Sequence, residues 1–215
     1  MHDLSLNSGE RQTAKVYREV RADHRFRYEW AAALIGPDTL GLDCFCGAGY
    51  GTWLLAQTRD VLGYDGSAEA IAFAQQHYAT ARARYQSAYW PFQLQANTYD
   101  FVVSLESIEH VKDGDGFFDA LTTALKPGGL LIYSTPNEDR LSHVGMGNHF
   151  HHRHYTHHQA MALADRRGLE LVDYAGQDTY RMEGRRPIGV LNPDAMKLKP
   201  RAPGQFTIIA VRKPT

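Results

Sequence analysis

The sequence predicts an α/β fold, a doubly wound and mostly parallel sheet with helices on both faces. Three observations predict it. Short apolar or β-branched runs alternate with stretches whose apolar residues recur at helical spacing, which is the pattern of βαβ units. One such run passes through a glycine cluster, Gly47-Ala48-Gly49-Tyr50-Gly51, directly into a helical stretch. No period of roughly 20–50 residues repeats along the chain, which sets solenoids and propellers aside. In such sheets ligands lie at the carboxyl ends of the strands, where strand order reverses.

The elements follow in order. Residues 11–35 read as one helix, with Val16, Val20, Phe26, Trp30 and Leu34 along it and Gly36-Pro37 as its stop. Residues 40–45 read as the first strand. After the glycine cluster come a helix at 52–57, a strand at 61–64 and a helix at 68–78, the last with Ser67 as N-cap and Glu69 in its first turn. Residues 101–105 form a compact buried strand. Phe117, Leu121 and Leu125 fall at i, i+4 and i+8 of a helix that stops at Lys126-Pro127-Gly128-Gly129. A strand at 130–134, a helix at 159–167, a strand at 169–174 and a β-branched strand at 206–211 complete the pattern. The connection 176–205 is too long for an ordinary loop in a compact domain and reads as a lid near the active site.

The 215 residues make a single domain, 1–215, with room for its own core, and 43% hydrophobic with 22% charged residues is ordinary globular composition. Lys and Arg number 23 against 24 Asp and Glu, a net charge of −1, so no nucleic-acid partner is expected. The opening MHDLSLNSGERQ has no basic segment followed by an apolar one, and no run of ~18 apolar residues occurs, so neither export nor a membrane span is expected. Cys44 and Cys46, two residues apart near a strand end, are poorly placed for a disulfide, which fits a reduced, cytoplasmic protein. The residues leave oligomeric state open, a homo-oligomer included.

The glycine cluster reads GxGxG, whereas pyrophosphate-binding dinucleotide sites use GxGxxG, so a nicotinamide cofactor is the weaker inference. Asp65 closes the second strand, 18 residues beyond Gly47, where a carboxylate can accept both ribose hydroxyls of a nucleoside. A plain strand-to-helix turn is the alternative reading of the glycines alone.

Residues 42–51, 61–67, 100–110 and the stretch LKPGGLLIYSTPN (125–137) together resemble the successive motifs of class I S-adenosylmethionine-dependent methyltransferases. The likeness spans about residues 8–175. SGER (8–11), His24, Arg27-Tyr28 and Asn148-His149-Phe150-His151 are similar to a bacterial subset associated with sugar and polysaccharide modification of the O-antigen type. The resemblance implies a Rossmann-like sheet of about seven strands with the last antiparallel. It implies S-adenosylmethionine as cofactor, S-adenosylhomocysteine as product, no metal, and methyl transfer to an oxygen of a carbohydrate or glycan precursor. Methylation of a small phenol or other metabolite is the rival, and a cofactor-binding domain without turnover is a further one. By position, the Cys46-Gly47 backbone faces the methionine part with Asp43 supporting that loop, and Asp65 holds the ribose. Ser87 and Ala88 face the adenine edge through a side-chain oxygen and a backbone amide. Leu105 lies beneath the sulfonium. An N-terminal helical cap, 1–36, covers the cofactor, Arg27 pairing its carboxylate and Tyr28 packing on its face. Phe45, Gly66 and Ser87 depart from the family pattern, standing where a loop glycine, an apolar cover for adenine and an aspartate are usual.

An alcohol nucleophile needs a base, and a neutral histidine is the usual means. Glu109-His110 sits at the exit of the fourth strand, either as part of the chemistry or as a fixture of the loop. Seven of the eleven histidines lie between His143 and His158. His151 is the favoured second catalytic residue; a metal site drawn from His149, His151, His152 and His154, or a polar surface loop, are the alternatives. In 176–205, Arg181, Arg185, Arg186, Lys197, Lys199 and Arg201 fit an anionic small-molecule or glycan acceptor, or solvated surface charge.

Overall fold

The computed structural model describes residues 5–6, 8–9 and 11–215; Glu10 of the SGER stretch and residues 1–4 and 7 of the expected cap lie outside the described residues. The central sheet has strands β1 (Leu40–Cys44), β2 (Asp60–Asp65), β3 (Ala83–Ser87), β4 (Tyr99–Leu105), β5 (Leu125–Pro136), β6 (Glu170–Gln177), β9 (Lys199–Pro200) and β10 (Phe206–Arg212). They lie in the order β3-β2-β1-β4-β5-β10-β6-β9, so strand order reverses between β1 and β4. The strands β3, β2, β1, β4 and β5 pair in parallel, and β10 runs antiparallel between β5 and β6. The sheet thus has eight strands where about seven are expected, because β9 adds a two-residue antiparallel edge to β6. The mostly parallel Rossmann-like architecture and the antiparallel final strand match the expectation.

Helices α1 (Ala22–Leu34), α2 (Tyr50–Leu55), α3 (Ala68–Tyr78), α4 (Gly114–Ala124), α5 (His143–Met146) and α6 (His157–Asp165) accompany the sheet. Two apolar clusters result, one built around Tyr28, Phe101, Val103, Ile132 and Ile208 and the other around Leu42, Val102, Phe117, Leu131 and Ile209. Neighbouring strand residues go to opposite clusters because their side chains alternate faces. Ser67 caps α3 as expected, its Oγ accepting the Ala70 amide at 3.1 Å.

Several boundaries shift by one to three residues, and three departures from expectation are larger. The first helix starts at Ala22, not at residue 11; before it lie an irregular arm and a 3-10 turn, Tyr17–Glu19. Tertiary bonds hold that arm instead, Arg11 to Asp65 and the Tyr78 hydroxyl to the Ala14 carbonyl at 2.8 Å. Leu125 begins β5 rather than ending α4: its backbone is already extended (φ −71°, ψ 137°), and Pro127 drives Lys126 after it the same way. The connection 176–205 is not loop throughout: it holds a hairpin, β7 (Tyr180–Glu183) with β8 (Arg186–Val190), a 3-10 turn Pro193–Met196, and β9. Among the described residues no helix is long and apolar enough to cross a membrane.

Candidate active site

Where strand order reverses, the turn after β1 takes three left-handed backbone steps, at Phe45 (φ 63°), Gly47 (φ 55°) and Gly49 (φ 88°). Glycine adopts this region without cost; Phe45 does not. Its ring rests on Phe117 at 5.1 Å between centroids, and that packing offsets the backbone strain. A Cβ at Gly49 would lie 2.5 Å from that of Ala74, so glycine there lets α2 approach α3. A Cβ at Gly47 would meet nothing within 4 Å, because that turn opens on a cavity.

Asp65 ties this turn to β2. Its Oδ2 accepts the Gly47 amide at 3.0 Å, and Oδ1 accepts the Ser67 amide at 2.8 Å and Arg11 Nη2 at 3.2 Å. Cys46 is buried, and burial with the nearby Asp43 pushes its thiol well above the ordinary range. Asp43 does not bond the turn. Its carboxylate accepts Thr52 Oγ1 at 2.7 Å and the Tyr28 hydroxyl at 3.1 Å, and full burial raises its pKa to about 7 despite those bonds. Tyr28 packs on the α2 backbone: a Cβ at Gly51 would lie 2.0 Å from its ring.

Arg27 is 2% exposed and cradled on every side. Its Nε donates to Gln177 Oε1 at 2.5 Å, Nη1 lies 3.5 Å from Glu106, Nη2 lies 3.8 Å from Asp23, and the guanidinium sits 4.3 Å over the Phe206 ring. Nη2 makes no hydrogen bond among the described residues. Glu106, one residue past Leu105 and with φ 52°, accepts Ser134 Oγ at 2.5 Å; burial raises its pKa against the pull of Arg27. His24 is held neutral, pushed down to about 3 by burial, with Nδ1 3.0 Å from the Tyr50 hydroxyl.

Beyond β4 the imidazoles of His110 and His151 meet edge to face at 4.6 Å. His110 Nδ1 lies 3.2 Å from the Phe150 carbonyl, which only accepts, so Nδ1 carries the proton and neutral His110 has its lone pair at Nε2. Asn148 Oδ1 accepts the Phe150 amide at 3.0 Å, which turns Nδ2 to donate to His151 Nε2 at 2.9 Å. His151 Nδ1 then donates to His154 Nε2 at 2.8 Å, and His154 Nδ1 to the Leu141 carbonyl at 2.8 Å. Burial, then His110, His154 and His143, push His151 down to about 2. The Glu109 carbonyl accepts the His152 amide at 2.7 Å, joining the two loops. One potential ligand atom each of Glu109, His110 and His151 lies within 4.8 Å of the others. Of the histidines weighed as an alternative metal set only His151 takes part, and both its ring nitrogens already have partners.

Two adjoining cavities hold these residues. The smaller, about 160 Å³, is lined by Arg27, Tyr28, Cys46, Gly47, Leu105, Glu109 and His151 among others. The larger, about 840 Å³, is lined by Gly66, Tyr89, Trp90, Lys112, Phe150 and His152 among others. Arg11, Phe45, Asp65 and His110 border both.

The structure places most of the residues singled out in the sequence around these two cavities and leaves others off them. Ala88 spends its amide on the Asp65 carbonyl at 2.9 Å, and neither it nor Ser87 lines a cavity. Asp43 stands behind the cavity wall rather than on it. None of the basic residues of 176–205 lines either of these two cavities; Lys199 pairs with Asp178, Arg201 with Asp173 at 3.0 Å and Arg185 with Glu138 at 3.7 Å. Tyr180 is what this segment contributes to the wall. Sequence reasoning missed Arg11, Glu106 and Gln177. An acid directly after the tip of β4 was a usable signal for Glu106; Gln177, 150 residues from Arg27, had none.

A family model described as "Methyltransferase domain" matches residues 40–174. A ubiquinone biosynthesis O-methyltransferase of Hydrogenovibrio crunogenus is 29% identical over 70% of this chain and 72% of its own length. A probable S-adenosylmethionine-dependent methyltransferase of Mycolicibacterium smegmatis is 31% identical over 63% of this chain, which spans about half (53%) of that relative. Among solved structures, a Burkholderia thailandensis 1,6-didemethyltoxoflavin-N1-methyltransferase with bound S-adenosylhomocysteine superposes with a TM-score of 0.65 at 18% identity, over 91% of this chain and 80% of that one.

Proposed function

The chain belongs to the methyltransferase-domain family, and from that premise we propose that it is an S-adenosylmethionine-dependent O-methyltransferase whose acceptor is the hydroxyl of a small molecule. The residues present fit the cofactor. Arg27 offers a buried Nη2 without a hydrogen bond, Gly47 leaves its Cβ direction open, and Asp65 stands where a ribose needs a carboxylate. When bound, the cofactor supplies a methyl group on a sulfonium. Arg27 pairs with its carboxylate, the Cys46-Gly47 backbone borders the methionine part, Asp65 holds the ribose and Leu105 forms the floor. Tyr28 borders the same cavity and fixes Asp43 and α2.

Methyl transfer is an in-line displacement, so the protein must align the acceptor and exclude water. The observation that carries the proposal is the pair of imidazoles, 4.6 Å apart beside Leu105 and held by carbonyl and amide partners in defined tautomers. His110 takes the hydroxyl proton at Nε2, and Asn148, whose Nδ2 is held by His151 Nε2, orients the acceptor; Glu109 fixes the loop between them. A small phenolic or other hydroxylated metabolite is the leading acceptor class, in keeping with the ubiquinone biosynthesis O-methyltransferases among the relatives. A sugar hydroxyl is the second reading, supported by the Asn148-to-His151 stretch but by none of the relatives' names.

The test incubates the purified chain and S-adenosylmethionine with phenols, catechols and free or nucleotide-linked sugars, following S-adenosylhomocysteine and methylated product by mass spectrometry. An O-methyl product from one class selects that reading. Cofactor binding with no turnover on any acceptor would leave a cofactor-binding domain.

A further inference from the structure

The larger cavity has a feature that neither the Asp65 contact nor the histidine pair uses. Tyr89, on the loop after β3, is 61% exposed. Its ring edge fills the space above Gly66, where a Cβ would lie 2.9 Å from Tyr89 Cδ2. The exposure does not come from a loose loop. The Ala88 amide fixes one side of Tyr89 to the Asp65 carbonyl. On the other side Trp90 is wedged edge-on between Phe92 at 5.2 Å and Phe117 at 5.1 Å. An anchored loop therefore holds one aromatic side chain at the border of a cavity of about 840 Å³.

Asp65 borders both cavities, so a ribose on its carboxylate has one substituent on each side. The smaller cavity contains Arg27 and the Gly47 turn, which suits the charged end of the cofactor. The base then enters the larger cavity, and it is bonded directly to the ribose, one ring away from Asp65. The adjoining surface there is Gly66 and the ring of Tyr89. Base stacking on an aromatic side chain is sequence-tolerant and strong for a purine.

Resting on the methyltransferase reading above, we propose that Tyr89 is the stacking platform for the purine of the bound cofactor, and that residue 66 is glycine so that this ring can occupy the space a side chain there would fill. The geometry makes residues 66 and 89 alternative suppliers of one apolar surface. Tyr89 does this with its ring, its hydroxyl taking no part.

Calorimetric titration with S-adenosylhomocysteine of the wild type, Tyr89→Ala, Tyr89→Phe and Tyr89→Ala/Gly66→Leu tests it. Tyr89→Ala is expected to weaken binding by ~5- to 150-fold, the range of base-aromatic stacking. Tyr89→Phe should bind as the wild type does. The double variant should recover most of the loss, since Gly66 has no left-handed backbone to strain and the vacated space accepts a leucine. Unchanged affinity in Tyr89→Ala, or equal losses in the Phe and Ala variants, overturns the proposal. Failure of Gly66→Leu to recover affinity overturns the shared-space half of it. A wild type that binds no S-adenosylhomocysteine overturns the methyltransferase reading together with this one, whereas wild-type binding with an unaffected Tyr89→Ala overturns this inference alone.

Discussion

Arg11 Nη2 donates to Asp65 Oδ1 across 3.2 Å, onto the same oxygen that accepts the Ser67 amide. A carboxylate oxygen has about two acceptor sites, so Oδ1 is full and Arg11 stands where a ribose hydroxyl would bond. Arg11→Ala is expected to tighten S-adenosylhomocysteine binding by ~2- to 10-fold, the scale of one ion pair of modest net worth. Calorimetry and stopped-flow association rates check it. A loss of affinity would mean that the guanidinium clasps the cofactor instead of competing with it.

Asp65→Ala should lower cofactor affinity by ~30- to 1000-fold, about 2–4 kcal/mol, because a charged acceptor for two hydroxyls is removed. The Gly47 and Ser67 amides lose their partner as well. Circular dichroism must therefore show a folded variant before the titration is read. Unchanged affinity would remove the central contact of the proposed site.

Phe45 separates backbone strain from packing. Phe45→Ala keeps a left-handed side-chain-bearing residue and loses the Phe117 contact; Phe45→Gly loses the contact but relieves the strain. The glycine variant should be the more stable of the two by about 1 kcal/mol in urea unfolding. Equal stabilities would show that the turn relaxes out of φ 63° once the ring is gone.

Asp43 gives a pH dependence. Burial raises its folded pKa to about 7, above the ~3.9 of the unfolded chain. Between those values the folded state binds more protons, so the contribution of Asp43 to stability is fully present below about pH 4 and falls as pH rises to about 7, by up to ~1.4 kcal/mol per unit. Unfolding free energies of the wild type minus those of Asp43→Asn should therefore decline from pH 4 toward pH 7. A flat difference would mean the carboxylate is ionised and compensated.

The two cavity histidines should separate kinetically. His110→Ala is expected to reduce kcat by ~10²–10⁴ with cofactor affinity intact, whereas His151→Ala should raise the acceptor KM as well. Because burial keeps His151 neutral down to about pH 2, no rate inflection near the ordinary histidine value of ~6.5 should belong to it. Any such limb should persist in His151→Ala. Chelator should leave activity unchanged; loss that a divalent ion restores would assign Glu109, His110 and His151 to a metal and displace His110 as base.

Local signals in the sequence determined the parallel sheet, the glycine turn, Asp65 at the end of β2, the Ser67 cap and the paired Glu109-His110. Each is written within a few residues: alternation of apolar runs, glycine where φ is positive, an acid at a strand tip. Of the boundaries that shifted, α1 starts at Ala22 because tertiary bonds hold the residues before it, and β5 starts at Leu125 because the chain is already extended ahead of Pro127. The basic run in 176–205 suggested an anionic acceptor, yet Arg185, Lys197, Lys199 and Arg201 pair with carboxylates. Only the tertiary structure decided which side chains face one another across distant segments. It brings Gln177 to Arg27, Arg11 onto Asp65, and Tyr89 into the space Gly66 leaves. It also sets the tautomers of His110 and His151 through the Phe150 carbonyl and the Asn148 amide, partners that a residue type does not specify. The physical reason is that a strand or a cap depends on neighbours in the chain, whereas a desolvated charge or an imidazole takes its state from whatever the fold packs against it.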